Sequence, residues 1–361
     1  MQETDVREIV AGIEDPDLGA DIVSENLLTD VTVDGETVRI GLALEAVGSP
    51  TEASIRTAVR DALEAEGLTV EITTGDAEDT DDEAVGVENL GPETGGGSEA
   101  PLPDVSNVIV VASGKGGVGK STVSVNLAAG LADQGAEVAI FDADMYGPNV
   151  PRMLDVEGAP KATSEETILP QEAYGMGVMS IGLMLGEDDP VIWRGAMVHN
   201  TITQLIDDVE WGDLDYLVID LPPGTGDTQL TLLQSIPITG AVIVTTPQDV
   251  ALEDARRGLQ MFAEHQTPVL GVVENMSTFV CPDCGSEHDI FGKGGGRDFA
   301  EEMDMPFLGA IPLDPAIRSG GDEGKPVVMT EGSTAGESLR EMVATTADMV
   351  GILNRRNRSQ Q

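Results

Sequence analysis

Residues 114–122 read GKGGVGKST, and the two lysines in that run, Lys115 and Lys120, ask for different work. The stretch fits G-x-x-x-x-G-K-[ST] with Gly114, Gly119, Lys120 and Ser121. Glycines let backbone N–H groups turn inward around phosphate oxygens, and a helix N-terminus adds positive potential. The expected nucleotide loop is Gly114, Lys115, Gly116, Gly117, Val118, Gly119, Lys120, Ser121 and Thr122. Lys120 is expected to reach the β- and γ-phosphates of ATP, and Ser121 to offer its hydroxyl to Mg²⁺. A phosphate loop needs only the second lysine, so Lys115 is left to explain.

Carboxylates recur downstream at the ends of apolar runs. AIFDADMYGP carries Asp142 and Asp144, and YLVIDLPPGTGD carries Asp220 before a Pro- and Gly-rich turn. Such carboxylates can hold Mg²⁺ directly or through water, and the turn can sense the γ-phosphate. The alternative for Asp220 alone is a helix cap or turn residue. A second constellation is CPDCG, with Cys281 and Cys284, the two cysteines of the chain. A [4Fe–4S] cluster needs four thiolates, which two chains on a two-fold axis would supply. The same pair suits a structural Zn²⁺, bridging two chains or completed by His288. It also suits a redox-active C-x-x-C. Spacing does not choose among the three.

The elements that must position these residues read as an α/β fold, a doubly wound and mostly parallel sheet behind a small α+β domain. The near-continuous apolar runs VIVVA, YLVID and AVIVT suit strands covered on both faces. Strands are expected at 108–112, 138–142, 216–220, 241–245, 269–274 and 307–310. Helices are expected at 121–134, 197–209, 227–235, 252–265, 297–302 and 336–353. Ahead of them, DVREIVAGIE places Val6, Ile9, Val10 and Ile13 on one helical stripe. VTVDGETVRIGLAL reads as a hairpin around Asp34-Gly35. TEASIRTAVRDALEAEG is a second amphipathic helix and LTVEI a last strand. The expected boundaries are 1–73 for the small domain, 74–104 for an acidic, Gly-rich linker, 105–353 for the phosphate-loop domain and 354–361 for a tail.

Composition narrows the setting. The chain has 361 residues with 19 Lys+Arg against 65 Asp+Glu, a formal net charge of -46. A surface this acidic repels itself at low salt and is eased by screening. The acidity spreads over every segment, which favours a host with a salty cytoplasm over a merely acidic protein with a disordered tail. So few cations disfavour nonspecific nucleic-acid binding. No stretch is long and apolar enough to span a bilayer. MQETDVREIVAGIEDPDLG lacks the pattern of a secretory signal. A cytoplasmic protein without nucleic-acid or membrane partners is expected.

Taken together the motifs resemble a known group. Lys115 in GKGGVGKST is similar to the signature lysine of the deviant Walker A ATPases, which include MinD, ArsA and the nitrogenase iron protein. With DADMYGPNVPRML, WRGAMV, LDYLVIDLPPGTGD, TTPQDVAL, ENMS, CPDCG, IFGKGGG and IPLDPAIR, residues 105–350 resemble the Mrp/ApbC iron–sulfur cluster carriers. The resemblance implies a weakly hydrolysing ATPase and homodimer that takes a [4Fe–4S] cluster from a donor and passes it to apo-proteins. It tips the cysteine pair toward iron–sulfur, while His288 keeps zinc open. It implies that Lys115 reaches across the dimer to the partner's nucleotide. It also implies that Asp144 positions the attacking water, and that Asn275 and the PLD of Pro312, Leu313 and Asp314 recognise adenine. The small domain resembles the PaaD-like domain of iron–sulfur assembly, with Ser49 where that domain usually has cysteine. Serine is a poor ligand for soft iron, so an adaptor or docking role is expected. Asp15-Pro16-Asp17 is either functional there or a helix-ending turn. The rival reading is a MinD- or ParA-like positioning or regulatory ATPase with a structural zinc.

Overall fold

The computed structural model describes residues 2–75, 101–163, 167–184, 195–281 and 284–360. Residues 76–100, the body of the expected linker, lie outside the described residues, as do Trp193 and Arg194 of WRGAMV and Pro282 and Asp283 of CPDCG. The chain divides into two compact units. Met1–Glu45, Thr51–Pro103 and Gly351–Gln361 form the small one; Ala46–Pro50 and Asp104–Val350 form the large one.

The small unit runs α1 (Glu3–Val10), β1 (Leu28–Asp34), β2 (Thr37–Leu42), α2 (Pro50–Glu64) and β3 (Thr69–Thr74). β1 and β2 pair antiparallel, and β3 lies parallel on the other side of β2. The hairpin turn is one residue later than expected: its two loop residues are Gly35 and Glu36, and Gly35 takes the positive φ of 64°. Val6 and Val10 of α1, with Ile55, Val59 and Leu63 of α2, are spaced by whole helical turns. They bury against Val31, Val38, Ile40 and Leu42 of the sheet.

The large unit begins with β4 (Val105–Ala112), α3 (Lys120–Asp133), β5 (Val138–Asp142), α4 (Val150–Met153), β6 (Lys161–Ala162), β7 (Ile168–Leu169), β8 (Gln171–Ala173), β9 (Met176–Ser180) and α5 (Ile181–Met184). It continues with α6 (Gly195–Asp207), β10 (Leu214–Asp220), α7 (Asp227–Ser235), β11 (Gly240–Thr245), α8 (Asp249–Glu264) and β12 (Val269–Glu274). It ends with β13 (Phe279–Val280), β14 (Glu287–His288), α9 (Gly295–Glu302), β15 (Phe307–Ala310), α10 (Pro315–Asp322) and α11 (Thr334–Ser359), the last running on into the small unit's residues.

One sheet of eight strands, ordered β15-β12-β11-β4-β10-β5-β9-β8, carries the large unit. All pairings are parallel except β8 with β9. Every residue of β5 and β11 is buried, as expected for strands with both faces covered. β4 has β10 on one side and β11 on the other, so the chain order reverses about it. In open α/β sheets ligands bind at the carboxyl ends of strands at such a point. The phosphate loop leaves β4 there.

The expected tail at 354–361 is corrected by the structure, because α11 continues to Ser359. Carboxylates of the small unit neutralise Arg355, and a residue so held extends a helix instead of fraying. The edge strand β8, its neighbour β9 and the short helices α4 and α10 were not foreseen either.

Candidate functional site

The phosphate loop is shaped by what surrounds it. A side-chain carbon on Gly114 would sit 2.1 Å from the backbone carbon of Asp254 on α8, so the loop passes that helix with no room to spare. Gly117 and Gly119 have φ of 83° and 85°, a conformation open to glycine at little cost. Asn275, just after β12, donates its side-chain amide to the Val118 carbonyl at 2.8 Å and so ties the loop to the next strands of the sheet.

Lys120 is 6% exposed, and its ammonium lies 2.8 Å from Asp220 Oδ1 and 4.0 Å from Asp144 Oδ2. Asp220, wholly buried at the end of β10, also accepts the hydroxyls of Ser121 and Ser124, each at 2.6 Å. Ser124 was missed in the sequence; its place one turn beyond Lys120 on α3 was the available signal. Asp142 lies beside Asp220 in the paired strands β5 and β10. It accepts N–H groups from Asp144 and Val150 at 3.1 Å each. Burial first, then the Asp220 carboxylate, push Asp142 from an ordinary 3.8 up to about 7, against those two N–H groups and the charge of Lys120. Asp144 accepts the N–H groups of Tyr146 at 3.3 Å and Gly147 at 3.2 Å.

A cleft of about 460 Å³ opens here. Gly116, Gly117, Gly119, Lys120, Ser121 and Thr122 line it, together with Asp144, Asn275, Pro312 and Asp314. Gly114, Val118, Asp142 and Asp220 do not line it; they hold the residues that do. Asp314 caps α10 by accepting the Ala316 N–H at 2.7 Å. Leu313 lines the cleft between Pro312 and Asp314, and Pro223, Met153 and Ile317, which were not singled out in the sequence, line it as well. Lys115 is half-buried and does not line its own chain's cleft. Among the described residues no ion pair engages its ammonium.

The cysteines sit on the small antiparallel hairpin β13–β14. The Cys281 N–H donates to the Ser286 carbonyl at 2.9 Å, and the Gly285 N–H to the Cys281 carbonyl at 2.8 Å. Cys284 is exposed, with its thiol 3.2 Å from Ser286 Oγ. The Ser286 hydroxyl, then the Ser286 N–H and the Cys281 side chain, lower the Cys284 thiol below its ordinary range. His288 lies across the hairpin from Phe279, their ring centres 6.3 Å apart. Among the described residues no three His, Cys, Asp or Glu side chains gather to hold a metal. The single-chain Cys-Cys-His zinc site kept open in the sequence is therefore not assembled among them. The hairpin and the cleft share one stretch of chain: Asn275 lines the cleft, and Thr278 accepts the N–H of cleft-lining Leu313 at 3.0 Å. Ser49 is 3% exposed and gives its hydroxyl to Asp348, so it is not offered to a ligand.

Comparison with known proteins gives this geometry its context. A family profile described as NUBPL iron-transfer P-loop NTPase matches residues 104–347. The chain belongs to that family. A second profile, described as iron-sulfur cluster assembly protein, matches residues 3–73 of this P-loop NTPase. An iron-sulfur cluster carrier protein of Synechocystis is 41% identical, over 97% of this chain and 98% of its own. The mouse iron-sulfur cluster transfer protein NUBPL is 49% identical, over 64% of this chain and 74% of its own. Among solved structures, a nucleotide-binding protein from Archaeoglobus fulgidus in complex with ADP superposes with a TM-score of 0.57. It is 39% identical and spans 63% of this chain and 89% of its own. The cell division ATPase MinD of Pyrococcus furiosus, 24% identical with a TM-score of 0.52, shares the fold; the match covers 66% of this chain and 98% of that one. Family membership carries the capacity for nucleotide hydrolysis. Among the described residues no helix is long and apolar enough to cross a membrane.

Proposed function

We propose that this NTPase is a cytoplasmic carrier that takes a [4Fe–4S] cluster from a donor and delivers it to apo-proteins, gated by ATP binding and slow hydrolysis. The observation that carries the reading is the hairpin: two thiols beside each other, with no third ligand gathered among the described residues. Four thiolates then require two chains, and a cluster shared between chains is open to transfer. The carrier names of the relatives support the same reading.

At the nucleotide, Lys120 exchanges Asp220 for the β- and γ-phosphates. The donor set fits a hard divalent cation: a hydroxyl and two adjacent buried carboxylates, one of them pushed up to about 7 by burial and by the other's charge. Mg²⁺ would be held by Ser121, Asp142 and Asp220, directly or through water, and would supply charge to the phosphate oxygens. Asp144 orients the attacking water, with its carboxylate fixed by the N–H groups of Tyr146 and Gly147. Lys115, whose ammonium no ion pair engages among the described residues, stabilises the transferring phosphoryl group in the partner chain, as a cation supplied in trans does elsewhere. Asn275, Pro312 and Asp314 face the base. Against a positioning ATPase with a basic tail, Arg355 and Arg358 are paired with carboxylates.

The test is anaerobic reconstitution with iron and sulfide, followed by metal analysis. About four irons per dimer are expected, as the cluster type requires. Cys281→Ser or Cys284→Ser removes the iron and the delivery but leaves ATP binding. His288→Ala changes neither. Stoichiometric zinc, no iron, and metal loss in His288→Ala would overturn the reading.

A further inference from the structure

Asp15, Asp17 and Glu52 take no part in the nucleotide or cysteine sites, yet the first and last are buried, 0% and 5% exposed. Asp15 Oδ1 accepts the N–H groups of Asp17 at 2.8 Å and Leu18 at 3.2 Å, which fixes the turn and aims the carboxylate. Its Oδ2 takes Nε of Arg355 at 2.6 Å. Asp17 takes Nη2 at 2.8 Å, and Glu52 takes Nη1 at 2.9 Å. Each nitrogen of one guanidinium thus meets a different carboxylate, and Arg355 is 1% exposed.

A second feature belongs to the same arrangement. Gly351 lies one helical turn before Arg355, and a side-chain carbon there would come within 2.7 Å of both Arg355 Nη1 and Glu52 Oε1. Glycine weakens a helix interior, so its presence inside α11 answers to this close approach. Further along, Arg358 binds Glu45 at 2.8 Å. All these residues belong to the small unit, whose family profile ends at residue 73.

We infer that Asp15, Asp17 and Glu52 form a guanidinium-binding site, and that its occupant is Arg355 from the chain's own C-terminal segment. Three diverging carboxylates match the planar fork of arginine; the point charge of lysine cannot serve them together. Removing the arginine leaves buried Asp15 and Glu52 without their cation, so the latch stabilises the small unit.

The experiment uses the full chain and its Arg355→Ala, Arg355→Lys and Asp17→Asn variants, read by hydrogen exchange. In Arg355→Ala, exchange in residues 13–20 and 351–360 rises by about a hundredfold or more, the scale of losing one partner of a buried ion pair. Millimolar ethylguanidinium reverses the rise; equal ethylammonium does not. Arg355→Lys behaves as Arg355→Ala, and Asp17→Asn shows a smaller rise. ATP binding is unchanged throughout. If Arg355→Ala does not fold, Arg355→Lys with and without ethylguanidinium carries the same test. Unchanged exchange in Arg355→Lys, or equal rescue by ethylammonium, overturns the guanidinium site and leaves ordinary packing.

Discussion

Lys120 has a counter-ion in Asp220, 2.8 Å away. On the proposed reading ATP binding is a partner exchange, and the two lysines separate by what each loses. Lys120→Ala should raise the Kd for ATP by about 10- to 100-fold, the worth of a charged hydrogen bond or somewhat more. It also strands Asp220 and should lower stability by about 3 kcal/mol, so binding is measured well below Tm. Lys115→Ala should leave Kd within about twofold and slow hydrolysis by about 10³-fold, the lower end for a cation supplied in trans. Equal loss of binding in both would make Lys115 a local phosphate ligand. Asp142 gives a pH prediction. Folded, it keeps its proton up to about 7; unfolded, it loses it near 3.8. Its contribution to stability is full below the unfolded value and is lost as pH rises toward 7. A divalent cation prefers the deprotonated form, so Mg²⁺–nucleotide binding should tighten from pH 6 to 8 with proton release. Calorimetry in buffers of different ionisation enthalpy reads that release, and Asp142→Asn should abolish it.

Among the described elements, the phosphate loop has no room against α8. Gly114→Ala has to push a carbon into the Asp254 backbone. It should cost about 3 kcal/mol of stability, the upper range for overpacking, and weaken ATP binding with it; a chemical melt and a titration check both. Gly114 was legible as a motif position, but its reason was not, because α8 is far away in sequence. The apolar strands β5, β10 and β11 were legible, since burial on both faces writes an unbroken apolar run. β9 was not: MGVMS is short and contains a glycine that the sheet accommodates against Ala139 and Pro170. α4 escaped because a single turn has no period to read; its N-terminus is set by Asp142, which accepts the Val150 N–H across the loop. The carboxylates at strand ends were found because sheet topology sends them to one edge. Which of them face the cleft was not, because that depends on Ser121 and Ser124 having claimed Asp220 first.

At the scale of the whole molecule, charge dominates. A net charge of -46 opposes compaction wherever salt is too dilute to screen it. Circular dichroism should show structure lost as KCl is withdrawn and regained at molar salt; a stability flat across the series would remove the halophile reading. Buried pairs are screened far less than surface ones, so the Arg355 cluster should hold while surface repulsion grows. That cluster also sets an order of events in synthesis. Asp15 precedes Arg355 by 340 positions and Glu52 precedes it by 303. At ribosomal speeds of about 5–20 residues per second, the wait is about 15–70 s. Domains ordinarily fold from the N-terminus as they emerge. Here the small unit's carboxylates leave the ribosome long before the arginine that pairs them. They stay hydrated until Arg355 is free of the exit tunnel, and a chain released before that residue is left with its small unit unfinished.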